Sequence, residues 1–421
     1  MDNFYVCEKH EFIVSTKSRE PSKYMAMWSV YAPIVPLIEW VNIKRENVNP
    51  EDYMIKIMCD SGQGKLKICM CIIPINSDIN LTKKTQSLYI EGGILAKGYQ
   101  YSGINKCIMC FCAPDIKEHP WNMRKIFNLI KIHDVFTKFQ NLILTGDLKL
   151  LNEIYGLMES SSKHPCLYCT AESQQIVMGE PRTIGSLKKD YQKWSSSSGA
   201  NKKRCKEYNN VKNPPLLQNI PDEVPVLKIT PPPMLHILLG VFNHIWKNME
   251  NISELHKQVL HDFAIRHNCI KESYWGKTFE GNECTKLMNN IAADDKLFYN
   301  LPNIKTHITA LKIFNNLRIQ MFGMTLHHGW KNTLAEFEQS FKKIPNNSKP
   351  PKIHILLCHC CQFLKLYGQN KGLGFYSEQT GETVHSKFES IFSKYKIKNI
   401  HSEKYGNRLR KAVVDFSSIY V

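Results

Sequence analysis

Residues 140–158, QNLILTGDLKLLNEIYGLM, contain the pattern that decides the fold. The apolar run before Asp147 is typical of a short strand that is buried on both faces. After Asp147 the apolar residues recur every three or four positions, which predicts a helix that begins immediately. A strand that ends at an aspartate and leads directly into a helix indicates an α/β domain.

Three more strands are predicted upstream of this stretch. The segment YMIKIMCD ends at Asp60 and is followed by a short SGQG turn, and KLKICMCIIPI and NKCIMCFCAP have the same strand-like composition. Trp121 to about Phe139 has the apolar spacing of one helix. The order strand, strand, strand, helix, strand, helix predicts an RNase H-like mixed sheet with a parallel crossover, which is an α/β fold.

Outside this core the chain divides by composition. Tyr24 to Val41 is apolar but broken by prolines, and we expect packed irregular structure or short helices there. The final acidic helix is expected to begin at a capping Ser377. The predicted segments are an N-terminal pre-core segment (1–50), the first part of the core with a CxxC motif (51–172), a basic loop and long α-helical insertion (173–350), an HxxxxH segment with the catalytic helix (351–400) and a basic C-terminal tail (401–421).

The bulk composition indicates an intracellular protein that binds a polyanion. The 421 residues carry a net charge of +17, which favours nucleic acid as a partner. No apolar run is long enough to span a bilayer, and the charged N-terminus does not resemble a signal peptide, so we predict no membrane association. The basic run from Lys202 to Lys206 is a weak nuclear localisation signal, although a solvated loop would have the same composition.

Carboxylates occur where phosphodiester chemistry would need them. Asp60 and Asp147 are predicted at the ends of two strands that are neighbours in the RNase H topology, so their side chains should meet at one edge of the sheet. Glu378 and Glu382 are four residues apart, hence on one face of the last acidic helix. Three such groups could hold two Mg²⁺ or Mn²⁺ ions. Taken singly, each acid is equally typical of a turn or a helix terminus.

A second set of residues has the spacing of a zinc site. Cys166 and Cys169 form a CxxC motif after the helix that follows Asp147, and His354 and His359 have four residues between them. Two thiolates and two imidazoles suit tetrahedral Zn²⁺, and four protein ligands indicate a structural site. The two pairs are far apart in the sequence, so the site would tie the sheet to the segment before the last helix.

Other cysteines lie close to this pattern. Cys107 and Cys110 also form a CxxC motif, but residues three apart in a strand point to opposite faces, so we interpret them and Cys112 as ordinary thiols. Cys358, Cys360 and Cys361 lie beside the histidine pair and stay open as substitutes for one ligand.

In this order, CDSGQGKLKI, LTGDLKLLNEIYGLMESSSKHPCLYC, HILLCH and SEQTGETVHSKF resemble the Transib-type DDE transposases and the related catalytic subunit of the V(D)J recombinase. The pattern does not separate this group from its CACTA and Chapaev relatives. The resemblance covers residues 53–392. It implies a metal-dependent nuclease and strand transferase that acts on transposon ends and target DNA, as a homodimer when two ends are paired.

The resemblance also implies roles for individual residues. Asp60, Asp147 and Glu382 would be the catalytic metal ligands, with Glu378 as the alternative third acid. Cys166, Cys169, His354 and His359 match the zinc ligands of the family. The chain departs from the Transib pattern at His385 and Ser386, where Asn-Lys is usual. No separate N-terminal DNA-binding module is recognisable before the core.

Three functions therefore remain open from the sequence. The first is a transposase that cleaves DNA and transfers the strand. The second is a domesticated or truncated, catalytically idle DNA-binding protein of transposon origin. The third is an RNase H-like nuclease that cleaves DNA without joining it.

Overall fold

The computed structural model describes residues 1–16, 22–44, 53–74, 107–158, 162–197, 205–271, 278–293, 298, 301–368, 370–395 and 397–418. The chain forms two compact units. The first comprises Met1–Thr170, Glu180–Pro231 and Glu378–Val421, and the second comprises Ala171–Gly179 and Pro232–Ser377.

The first unit is built on a six-stranded mixed sheet. Its strands are β1 (Val6–Ser15), β2 (Lys23–Tyr31), β3 (Tyr53–Gly62), β4 (Lys65–Pro74), β5 (Cys107–Pro114) and β6 (Leu142–Thr145). Their order in the sheet is β1-β2-β5-β4-β3-β6. The pair β3–β6 is parallel, and all other neighbouring strands are antiparallel. The α/β class expected from the sequence is confirmed.

The centre of the sheet is apolar because β3, β4 and β5 are rich in isoleucine, methionine and cysteine. All eight residues of β5 are buried, as are the four of β6. The turn between β3 and β4 has positive φ angles at Gln63 and Gly64, which is typical of a two-residue hairpin. Strand β3 therefore continues to Gly62, two residues past Asp60, where the sequence predicted its end.

Eight helices of the first unit accompany this sheet in the described residues. They are α1 (Ile34–Lys44), α2 (Pro120–Leu129), α3 (Ile132–Lys138), α4 (Leu148–Ile154), α5 (Ile184–Ser196), α6 (Val226–Ile229), α15 (Gln379–Phe392) and α16 (Glu403–Ser418). The single helix predicted from Trp121 to Phe139 is wrong. It is divided between α2 and α3 because Lys131 adopts a left-handed φ of 52°.

Three other local predictions need correction. In the pre-core segment, α1 agrees with the short helix expected between Tyr24 and Val41, whereas the strand β2 replaces the irregular structure expected before it. The final acidic helix begins at Gln379 and has Glu378 at its N-cap position, one residue later than the capping Ser377 expected from the sequence. The predicted basic tail instead forms α16, since Tyr405, Leu409, Val413 and Phe416 recur at helical spacing and are buried.

The second unit is helical in the part of it that the structure describes, as predicted for the insertion. Its helices are α7 (Met234–Glu250), α8 (Glu254–Arg266), α9 (Gly281–Ala293), α10 (Lys305–Met321), α11 (Trp330–Lys342), α12 (Pro351–His354), α13 (Cys361–Leu366) and α14 (Leu373–Tyr376). A π-helical turn, Ile355–Cys360, joins α12 to α13. Among the described helices of both units, none has the length and apolar character needed to cross a membrane.

Candidate metal centres

Asp60 lies in β3, and Asp147 follows the neighbouring strand β6 by two residues. In the parallel pair β3–β6, Met58 is opposite Thr145, and each aspartate follows its strand residue by two positions. The two chain segments that precede these aspartates lie close together, because a Cβ on Gly146 would lie 2.8 Å from the carbonyl oxygen of Cys59. Glycine at 146 thus allows the chain to pass beside the residue that precedes Asp60.

Asp147 also has the structural role that the sequence allowed. It is the N-cap of α4, and its Oδ1 accepts a hydrogen bond from the backbone N–H of Leu150 at 2.6 Å. A carboxylate has two oxygens, so one can cap the helix while the other faces the end of the sheet. The cap fixes the orientation of the Asp147 side chain, and a fixed orientation favours metal binding by the second oxygen.

A third acid, Glu118, lies close to this pair and was missed from the sequence. Burial, and next the negative charge of Asp147, raises the pKa of Glu118 to about 7, and Asp60 adds to the effect. A hydrogen bond from Ser61 and the charge of Lys149 oppose the rise. Glu118 precedes α2 in a short loop with no motif, so only the tertiary fold reveals its position.

Helix α15 runs over strand β3 and presents its first turn to Asp60. A Cβ on Gly381 would lie 3.7 Å from Oδ2 of Asp60. Glu378 is buried and interacts electrostatically with Lys56, four residues before Asp60 in the strand. Glu382 directly follows Gly381 in the helix, but its side chain lies outside the described residues.

A hydrogen-bonded chain leads from the strand β4 to Asp60. Nε2 of His385 lies 2.8 Å from Oδ2 of Asp60, and Nζ of Lys67 lies 2.7 Å from Nδ1 of the same imidazole. Lys67 also donates to the carbonyl oxygen of Gly62 at 3.0 Å. Burial lowers the pKa of Lys67. The sequence identified His385 only as a departure from a family pattern.

The cysteine pair of the second candidate centre is held by a buried arginine. Arg182 is 1% exposed, and its Nε donates to the carbonyl oxygens of Cys166 and Cys169 at 3.0 and 3.1 Å. Its Nη2 donates to the carbonyl oxygens of His164 and Asn209. Burial, and next the neighbouring Cys169, raises the pKa of Cys166 well above its usual value.

The histidine pair is brought onto one helical face by the π-helical turn. Residues five apart diverge on a regular α-helix, whereas a π turn bonds residue i to residue i+5 and places them together. Nε2 of His354 lies 3.1 Å from Nε2 of His359. The opposite nitrogens, Nδ1, face Gln175 O and Gln362 Oε1 at 3.1 and 3.2 Å.

These contacts fix the tautomers. Each Nδ1 carries the proton and donates it to an oxygen, so each Nε2 presents a lone pair to the other. Two lone pairs at that distance repel, and either a proton on one Nε2 or a shared metal ion would remove this repulsion. In a tetrahedral zinc site, Zn–N bonds of about 2.1 Å place two nitrogens roughly 3.4 Å apart. The spacing therefore fits a shared metal ion.

Cys166, Cys169, His354 and His359 form one buried cluster, whose four ligand atoms lie within 4.8 Å of one another. Such a cluster could bind a metal ion such as zinc. Among the described side chains, it is the one group of three or more potential ligands that is close enough to share an ion. Asp60, Asp147 and Glu378 do not form a second such group, and the side chain of Glu382 lies outside the described residues.

The remaining cysteines do not join the cluster in the described part of the chain. Cys107, Cys110 and Cys112 are fully buried in β5. The thiol of Cys358 donates to the carbonyl oxygen of Ile176. The substitution of a ligand by a cysteine near the histidine pair is therefore not seen.

Glu118→Gln is expected to change how stability depends on pH. Because the folded pKa of about 7 exceeds the usual 4.5, the folded protein keeps a proton that the unfolded chain has lost. Stability is therefore lost as pH rises from about 4.5 through 7, by up to about 3 kcal/mol. Urea unfolding of zinc-loaded protein without other divalent ions should show the glutamine variant more stable than wild type at pH 8 and equal to it at pH 4.5. Equal stability at both pH values would contradict this environment for Glu118.

Arg182→Lys is expected to weaken the cysteine half of the cluster although the charge is kept. A lysine ammonium cannot reproduce a fork that contacts four carbonyl oxygens, and each lost charged hydrogen bond costs about 1.5–3 kcal/mol. We expect the Arg182→Lys variant to unfold at a lower urea concentration than wild type and to release zinc faster to a colorimetric chelator. Lys188→Arg, at an exposed ion pair with Asp222, is the matched control and should change neither quantity. Zinc release at the wild-type rate from Arg182→Lys would show that the arginine does not hold the cysteine loop.

Comparisons of the sequence with protein-family models and with curated proteins return no match.

Proposed function

We propose that this protein is a metal-dependent nuclease and strand transferase that acts on DNA, with an RNase H-like core derived from a cut-and-paste transposase. The observation that carries the proposal is the parallel pair β3–β6, in which Met58 is opposite Thr145, two residues before Asp60 and Asp147 respectively. The order β5-β4-β3-β6, with β6 parallel to β3, supports the RNase H-like assignment.

Glu382 is our choice for the third acid. Glu378 interacts with Lys56, and four strand residues place Lys56 about 13 Å from Asp60 along β3. Gly381, in contrast, packs against the Asp60 carboxylate. The first turn of α15 therefore lies beside Asp60, and within this turn the resemblance to the family pattern selects Glu382, with Glu378 as the alternative.

The acids fit hard divalent cations. Carboxylate oxygens on rigid elements are the ligands that Mg²⁺ and Mn²⁺ prefer. Burial first, and then the negative charges of Asp147 and Asp60, raise the pKa of Glu118, and a bound cation would offset these charges. When bound, two such ions activate an attacking oxygen and stabilise a leaving oxygen in phosphodiester cleavage. Asp60, Asp147 and Glu382 would hold them, and Glu118 would lie beside them.

The Cys/His cluster is proposed as a structural zinc site. Its four protein ligands fill a tetrahedral shell and leave no position for substrate. The hydrogen bonds from both Nδ1 atoms and from Arg182 are the outer contacts that orient such ligands.

The net charge of +17 supports DNA as the substrate, because lysine and arginine contacts release counterions from a polyanion. Pairing two DNA ends requires two copies of the chain, so we expect a homodimer on DNA. A nuclear location agrees with this substrate, but Lys202, Lys203 and Arg204 of the basic signal lie outside the described residues.

One contact favours a second candidate, a catalytically idle DNA-binding protein. His385 engages Oδ2 of Asp60, which leaves one oxygen of this carboxylate for a metal ion. An idle protein would keep the fold, the zinc site and the positive charge. It would bind DNA with a steep salt dependence and leave every phosphodiester intact.

The test is cleavage and joining of labelled duplexes tiled across the genomic sequence on both sides of the coding region, with Mg²⁺ or Mn²⁺. The proposal predicts products with 3′ hydroxyl ends, and longer joined strands when a target plasmid is added. Cleavage without joined strands would support a nuclease that does not transpose. Binding without cleavage at any metal concentration would support the idle protein.

A further inference from the structure

We infer that Lys67 and His385 form a positioning chain that aims one oxygen of Asp60 at the metal and keeps the other engaged. This inference rests on the proposed function, because it assumes that Asp60 is a metal ligand. His385 and Lys67 are positioning residues here, since neither is expected to touch the metal or the DNA.

The direction of the chain follows from hydrogen-bond chemistry. The Lys67 nitrogen donates and is engaged with both Gly62 O and Nδ1 of His385. Nδ1 is therefore the acceptor of the imidazole, which puts its proton on Nε2. That proton is donated to Oδ2 of Asp60 at 2.8 Å. The arrangement keeps the ring in one tautomer and the carboxylate in one orientation.

Packing also holds the imidazole of His385 in place. His385 and Lys67 are 7% and 2% exposed. A Cβ on Gly62 would lie 2.4 Å from the imidazole, closer than any real contact allows. Position 62 must therefore be glycine for the ring to lie where it does. The ring also faces the hairpin that follows Asp60, so the strand, the turn and α15 together determine its place.

The neighbouring lysine offers an internal comparison. Lys65 lies two residues away on the same strand and is also buried, but its ammonium pairs with Glu389. It also lies 4.5 Å from the ring centre of Phe392. No described hydrogen bond links Lys65 to His385 or to Asp60, so its removal should leave the aspartate in place.

The contacts that orient a metal ligand typically contribute 10- to 100-fold to metal affinity. The experiment is a Mn²⁺ titration of the zinc-loaded full chain, followed by electron paramagnetic resonance of the free ion. We expect His385→Ala to weaken Mn²⁺ binding about 10- to 100-fold. His385→Gln, whose amide can donate to Asp60, should recover part of the affinity, and Lys67→Met should fall between these two variants.

Gly62→Ala tests the position of the His385 ring without changing its chemistry. The substitution removes no polar group and only displaces the imidazole. It should weaken Mn²⁺ binding in the same direction as His385→Ala. Lys65→Met is the matched control and should bind Mn²⁺ within about two-fold of wild type, well inside the effect expected for an orienting contact. Near-ultraviolet circular dichroism and zinc content identify any variant that fails to fold.

Asp60→Asn distinguishes this inference from the proposed function. If Asp60→Asn binds Mn²⁺ like wild type, Asp60 is not a metal ligand and the proposed metal site is contradicted. If Asp60→Asn abolishes binding while His385→Ala, His385→Gln and Gly62→Ala all bind Mn²⁺ like wild type, the positioning chain is overturned and the metal site stands.

Discussion

Asp147→Asn is expected to abolish DNA cleavage while the protein stays folded. Asparagine keeps the shape of the side chain but removes the charge that a hard cation needs. The loss should exceed the roughly 100-fold that removing an outer contact of a metal site can cost, because a direct ligand is removed. Cleavage of the labelled duplexes with Mg²⁺ measures this effect.

The same substitution separates the two roles of Asp147. Asparagine is as good an N-cap as aspartate, so its Oδ1 can still accept from Leu150 N–H. The melting temperature should therefore stay close to that of wild type. Asp147→Ala loses both roles and should be inactive and less stable by about 1 kcal/mol. If Asp147→Asn cleaves DNA as wild type does, the residue is a cap and nothing more.

Cys166→Ser is expected to cause the largest loss of stability of any single substitution proposed. Zinc binding to such ligand sets contributes folding free energy directly, by about 10–16 kcal/mol in small zinc domains. In this larger chain we expect a loss of about 4–5 kcal/mol, the upper range for single substitutions, which lowers the melting temperature by roughly 10–20 °C at about 2–4 °C per kcal/mol. Zinc content should fall from one ion per chain to near zero.

Cys361→Ser is the matched control for the cluster. Cys361 lies two residues after His359 but is not among the four grouped ligands. It should keep its zinc, and its melting temperature should change little. Treating wild type with a zinc chelator should reproduce the Cys166→Ser melting curve. A Cys166→Ser variant that melts like wild type and lacks zinc would show that the cluster has no structural role.

The sequence predicted best where apolar runs and turn residues agree. Strands β3 to β6 are dense in buried aliphatic residues, and Gly, Pro or Asp residues bound them. The edge strand β1 was missed because only Phe12 and Ile13 of its ten residues are buried, which leaves no alternating pattern to detect. The helix α16 was missed because its buried residues form a narrow apolar stripe among many charged residues.

The residues of the candidate sites were also predicted only in part from the sequence. The CxxC and HxxxxH spacings identified all four cluster residues, but not the π-helical turn that brings the two histidines together. Glu118, Arg182 and Lys67 have no signal in the sequence, because each acts through a contact formed only in the fold. Lys67 in particular has the position of an ordinary solvent-facing residue in an alternating strand, yet it is buried against His385.

Asp60 and Asp147 are proposed to bind the cation that acts on DNA. The most direct measurement replaces Mg²⁺ with Fe²⁺ in the zinc-loaded protein, adds ascorbate and peroxide, and maps where radicals formed at the ion cut the chain. The claim predicts cuts beside Asp60, Asp147 and the first turn of α15, all lost in Asp60→Asn. Cuts confined to other segments, or unchanged in Asp60→Asn, would contradict it.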